Sequence, residues 1–178
     1  MLKILLIVAG CLGVLVAAVL VVAATKPDTF HVQRSASIQA PPAKIFPLID
    51  DFKNWTAWSP YEQKDPSMKR TFGATVAGKG AVYEWNGNGQ VGSGRITIVD
   101  TAPPSKVDIK LDMLRPIAAH NDVEFTLVPE GGATKVTWAM TGHVPYVAKV
   151  FHAFFNMDRM VGGDFEIGLA NLKRIAEK

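Results

Sequence analysis

The nine residues KVDIKLDML, from Lys106 to Leu114, alternate without a break. Val107, Ile109, Leu111 and Met113 fall on one side, with Asp108, Lys110 and Asp112 on the other. Successive side chains of a strand point to opposite faces, so the segment reads as extended, with one apolar and one wet face. The pattern recurs in DVEFTLV, where Val123, Phe125 and Leu127 oppose Asp122, Glu124 and Thr126, and in TKVTWAM, where Val136, Trp138 and Met140 align. Phe30, Val32, Ala36 and Ile38 share a further face that Arg34 interrupts. One packed face and one solvated face mark an antiparallel sheet. Asn86-Gly87, Pro103-Pro104 and the PEGG at 129–132 supply the turns between runs.

A sheet of this kind has to cover its apolar face. From about Pro145 to Ala176, the residues Val147, Val150, Phe151, Phe154, Val161, Phe165, Leu169 and Leu172 form one stripe of helical period. A helix of about 30 residues runs roughly 45 Å. Gly162-Gly163 within it predicts a bend or a close backbone contact. A shorter helix is predicted in APPAKIFPLIDDF, opened by a proline suited to a first turn and limited by Pro47. The expected order is a strand, a short helix or helices, about six more strands and one long helix.

Ile4 to Ala24 are twenty-one residues without a charge. At about 1.5 Å per residue, such a helix crosses a hydrocarbon core of roughly 30 Å. The run exceeds the about 7–15 apolar residues of a cleaved signal and predicts an uncleaved anchor, with cleavage after Val22-Ala23-Ala24 as the alternative. The chain thus divides into a tip (1–3), a transmembrane helix (4–24), a linker (25–29) and a domain (30–178). A domain of about 150 residues buries about 68–70% of its unfolded surface. Lys3 before the span and Lys26 and Arg34 after it leave the orientation open. The single cysteine, Cys11, lies in the span, so the domain holds no disulfide and no thiolate. The net charge of +3 is scattered among acids and never forms a basic run, which argues against a nucleic-acid partner.

GNGQVG, Gly87 to Gly92, matches the dinucleotide fingerprint, but strand-like AVYEW and GRITIVD flank it where a helix is required. A hairpin turn is expected instead. The histidines at 31, 120, 143 and 152 show no metal-ligand spacing, and neither a metal nor a cofactor is expected. Asp50-Asp51 suits capping at the end of the short helix. Asp158 falls near the centre of the stripe formed by Phe154, Val161, Phe165 and Leu169, where a carboxylate needs a partner or a raised pKa. Arg70, sharing a face with Met68 and Phe72, is the candidate partner, and Tyr83 a candidate hydrogen-bond donor to a carbonyl. Trp85, Trp138, Met140, Phe154 and Phe165 are candidates to line an apolar pocket. The stretch NWTAWSPYEQKDPSM reads as a corner into the second strand, with Trp55 and Trp58 as its anchors.

Three stretches, RSASIQAPPAKIFPLIDDFKNWTAWSPYEQKDPSM, GKGAVYEWNGN and NMDRMVGGDFEIGLANLK, resemble the START-like (SRPBCC) superfamily, in its bacterial polyketide cyclase/dehydrase and lipid-transport branch. The resemblance implies an α+β helix-grip fold: a curved antiparallel sheet of about seven strands around a long C-terminal helix, enclosing a hydrophobic cavity. Branch members with a leading membrane span make one transmembrane helix ahead of the domain an expected addition. The functional expectation is a single-pass protein of the bacterial inner membrane that binds a hydrophobic small molecule or lipid without a defined reaction. Two alternatives stand beside it. One is a cyclase or dehydrase using Asp158, Arg70 and Tyr83, and the other an interaction module whose pocket has closed.

Overall fold

The computed structural model describes residues 2–145, 149 and 157–178. Helix α1 covers Leu2–Ala24, and β1 follows at Thr29–Ile38. Three short helices come next, α2 (Pro42–Asp50), α3 (Trp55–Trp58) and α4 (Pro60–Lys64), with a 3-10 turn at Phe52–Asn54. Strands β2 (Lys69–Phe72), β3 (Val82–Asn86), β4 (Ser93–Ala102), β5 (Lys106–Arg115), β6 (Ala119–Glu130) and β7 (Ala133–His143) complete the sheet. The last helix, α5, is Met157–Ala176. The seven strands pair antiparallel in the order β1-β7-β6-β5-β4-β3-β2, so the chain winds outward and β1 closes against the last strand.

The alternation read from the sequence sets the inner face. Val107, Phe125, Trp138 and Arg34 stand in one row across four strands, and Ile98, Ile109, Val123, Met140 and Val32 in the next. Helix α5 runs alongside β1: Arg34 reaches Asp158, Lys173 donates to the Ser37 carbonyl, and Glu177 accepts from the Gln39 amide. The core lies between this helix, α2, α3 and the inner face, and Ile38, Ile45, Ile49, Phe52, Trp58, Phe125, Leu169 and Leu172 are within it. Asp51 caps the 3-10 turn by accepting from the Lys53 amide, the capping role expected of that acidic pair.

Two expectations fall on segments that are only partly described. The last helix is described from Met157, and the positions before it in the predicted stripe, Phe154 among them, lie outside the described residues. Among the described residues no helix is long and apolar enough to cross a membrane. The backbone of α1 is helical over its 23 residues, but the side chains at 2, 4–9, 15 and 16 lie outside the described set, so the span expected over 4–24 finds no support there.

Candidate functional site

The corner stretch is held by its tryptophans. Trp55 Nε1 donates to the Ile49 carbonyl and Trp58 Nε1 to the Leu48 carbonyl, each at 2.8 Å, so both indoles fasten the end of α2. Trp58 is fully buried and meets Trp55, Phe125 and Trp138 with ring centroids 5.0, 6.0 and 5.6 Å apart. Such aromatic clusters add to the area they bury through edge and offset contacts.

A polar knot follows in α4. Glu62 is buried and accepts from Tyr83 Oη at 2.7 Å through Oε1 and from Arg70 Nε at 2.7 Å through Oε2. Arg70 also donates to the Met68 and Pro66 carbonyls. Burial first, and then the Glu62 carboxylate, push the Tyr83 phenol far above its usual range. The Glu62 hydrogen bond likewise raises Arg70. Three residues after Glu62, Asp65 accepts from Ser67 Oγ at 2.7 Å and from the Asn88 amide at 2.8 Å, and these bonds hold its carboxyl below the usual carboxylate range. The knot ties the corner to the 87–92 turn, which joins β3 to β4 as a hairpin, as its flanking strands predicted. Tyr83 thus spends its single O–H on Glu62 Oε1, and Arg70 spends its Nε on Oε2.

Tyr83 gives a pH test of this geometry. A phenol raised in the folded state keeps its proton where the unfolded phenol has lost it, so the folded state binds more protons and stability falls as pH rises. That loss starts near the unfolded value of about 10. Tyr83→Phe should flatten the alkaline limb of a pH–denaturation series while lowering stability near neutrality by about 1–3 kcal/mol, because Glu62 Oε1 is left unpaired.

Asp158 does not meet Arg70. Arg34, the residue that breaks the apolar face of β1, points toward α5 and takes both of its carboxylate oxygens at 2.9 and 3.0 Å, with Glu166 Oε1 on its Nε at 2.7 Å. The Arg34 hydrogen bonds pull the Asp158 pKa down, so of the two expectations for this carboxylate, a partner or a raised pKa, it has the partner, which is Arg34 and not Arg70. The Asp158 side chain is 59% exposed, at the edge of the helix rather than facing the interior. Gly162 explains how the guanidinium gets there: it lies across the helix where any Cβ would collide with it, which is the close contact foreseen at the glycine pair. The proposed catalytic trio therefore separates into two unrelated ion-pair systems. Glu62, the centre of one of them, went unrecognised because an acid in a five-residue helix has no periodic pattern to mark it as buried.

The apolar candidates fall into two groups. Trp138 and Phe165 are buried and stack nearly parallel, 4.0 Å apart at 11°, filling the space between β7 and α5. The Trp138 N–H is buried without a partner among the described residues. Trp85 is half-buried, in a ladder with Phe72 and Tyr83, and donates to the Val91 carbonyl at 3.0 Å. Met140 lies between Val32 and Val123.

Burial of the inner face is uneven. Along β5 it falls from Val107 and Ile109, which are buried, to Leu111 and Met113, which are half-buried although they point the same way. Phe30 on β1 and Trp85 on β3 are half-buried as well. All four stand at one end of the sheet, the end at which β1 begins and β3, β5 and β7 finish. Among the described residues no cluster of His, Cys, Asp or Glu is arranged to hold a metal ion.

A curved seven-stranded sheet closed on a C-terminal helix, with an apolar concave face, defines the helix-grip class. Residues 29–177 match the family model described as polyketide cyclase / dehydrase and lipid transport, and the chain belongs to that family. No curated protein matches it. Among solved structures it is similar to the di-domain ARO/CYC BexL from the BE-7585A biosynthetic pathway, with a TM-score of 0.63 and 17% identity over 88% of this chain and 53% of that one. It is also similar to protein CV1439 from Chromobacterium violaceum, at 0.59 and 13% identity over 86% and 99%. An uncharacterised protein from Rhizobium leguminosarum gives 0.62 and 13% over 84% and 95%. Identities this low speak for the fold alone.

Proposed function

We propose that this domain binds an apolar small molecule or lipid at the open end of its concave face, and that residues 4–24 anchor it to the membrane from which the ligand comes. The observation that carries the reading is the row of large apolar side chains, Phe30, Trp85, Leu111 and Met113, which point inward yet stay half-buried. Pockets for apolar ligands combine such walls with few polar groups. Family membership supports it, since the family model is described by lipid transport as well as by cyclase and dehydrase chemistry. The placement of the linker supports the anchor: residues 25–28 enter β1 at the same end, beside the β5–β6 tip where Leu114 and Ile117 are 63% and 66% exposed. An anchored domain meets a membrane ligand at a raised effective concentration.

The closed-pocket alternative has one observation in its favour, because Trp138, Phe165, Trp58 and Phe125 fill the part of the interior beneath α5. That leaves the open end as the place for a ligand. The cyclase or dehydrase alternative loses the residues assigned to it, with Asp158 on Arg34 and both Arg70 and Tyr83 on Glu62.

The test uses the full chain purified in detergent. Solvent extraction and mass spectrometry should recover a lipid-like molecule in near-equal amount, and Met113→Glu should lose it while keeping the folded-state spectrum. Protein that is empty across lipids and isoprenoids would count against the ligand reading. In a parallel vesicle-flotation assay the full chain should float and a variant lacking residues 4–24 should not. Equal behaviour of the two would remove the anchor and leave the ligand reading standing.

A further inference from the structure

One side chain on the apolar wall is out of place. Asn121 stands on the inner face of β6, opposite Leu111 on β5 and Gly142 on β7, and is 8% exposed. Its Oδ1 is buried and has no hydrogen-bond partner among the described residues. The oxygen lies over Gly142, where any Cβ would collide with it, and the Phe30 ring closes over the same glycine from β1. Glycine at 142 is what lets the amide fold down against the sheet. Its neighbours on the wall, Phe30, Leu111 and Val123, carry no side-chain donor, and the Gly142 Cα–H is at best a weak one.

Leaving such a group unpaired is costly, whereas an apolar group of the same shape would cost little. Buried polar atoms in native proteins almost always have partners, so one that lacks a partner on a binding wall points to a partner from outside. We infer that Asn121 is the polar contact of the ligand site, and that the site takes an apolar molecule carrying a hydroxyl whose O–H donates to Asn121 Oδ1. The inference rests on the ligand reading above and names the chemistry that site selects. A pure hydrocarbon leaves the oxygen unpaired. A carboxylate brings a charge to a wall of Phe30, Leu111, Met113 and Val123, and the described cations at that end, Arg70 and Lys149, are already paired with Glu62 and Asp28. A hydroxyl supplies the missing donor without a charge, and a site built for one discriminates strongly against analogues that lack it.

The experiment compares 2-naphthol with 2-methylnaphthalene, which replace O–H by CH3 in the same shape, on the full chain in one detergent. Apparent Kd values are measured calorimetrically for the natural protein and for Asn121→Leu. Partition into micelles affects both proteins equally, so the ratio of ratios isolates the amide. The natural protein should favour the naphthol, and Asn121→Leu should shrink that preference about fivefold or more while binding the methyl compound at least as well. The melting temperature of the ligand-free variant should stay level or rise, since an unpaired amide has been removed. An unchanged ratio of ratios with both probes bound overturns the hydroxyl inference and leaves the ligand site intact. A lowered melting temperature with an unchanged ratio also overturns it, by showing that the amide serves packing. Failure of both probes to bind the natural protein takes down the ligand site and the inference together.

Discussion

Trp58→Ala should unfold this domain more readily by about 3–5 kcal/mol, the range for removing a large aromatic from a core. The side chain is fully buried, contacts three other aromatic rings and closes the Leu48 carbonyl with its N–H. Truncation opens a cavity between α3 and the inner face and leaves that carbonyl unpaired. For a domain of this size the melting temperature should fall by about 10 °C. Trp58→Phe should recover part of the loss, because it restores ring contacts but not the hydrogen bond. Chemical denaturation of both variants measures this directly, and a near-neutral Trp58→Ala would mean that the indole faces a ligand instead.

Glu62→Leu should cost about 3 kcal/mol, the lower end of the penalty for breaking a buried ion pair. The variant strands two groups at once, the Arg70 guanidinium and the Tyr83 hydroxyl. Arg70 keeps its bonds to Met68 and Pro66, and its side chain is 25% exposed, which moderates the loss. Adding Arg70→Met should return most of the stability, because an apolar pair of similar volume escapes the desolvation that the ions suffered. A double-mutant cycle measures the coupling. If the double variant is no more stable than Glu62→Leu alone, the knot is not held by that pair.

The aromatic corner and the polar knot differ in how far the chain announced them. Trp55 and Trp58 were readable as anchors because two indoles beside prolines and a short helix have few places to go except the core. Asp158 was readable as lying on the stripe of the last helix, but its angular position did not reveal its partner. Arg34 and Arg70 each interrupted an apolar face in the same way, and either could have met the helix. The choice follows from β1 lying alongside α5, with β2 at the far edge of the sheet. Gly162 shows the same division. The sequence foresaw a bend or a close approach, and the crossing of Arg34 over the helix selected the approach.

Strand alternation, turn residues and the helical stripe come from periods of two and 3.6, which are local properties of the backbone. They determined the antiparallel sheet, the order of its elements and the inward positions of Trp85, Trp138 and Met140. Hydrogen bonding and burial depend on which strands become neighbours across more than a hundred residues. Tertiary structure therefore decided that Tyr83 and Arg70 close on Glu62, that Trp138 fills space against Phe165, and that Phe30, Trp85, Leu111 and Met113 remain half-buried at one end. It also decided that Asn121 lies over Gly142 with an oxygen unpaired, since that row exists only once β6 and β7 are in register.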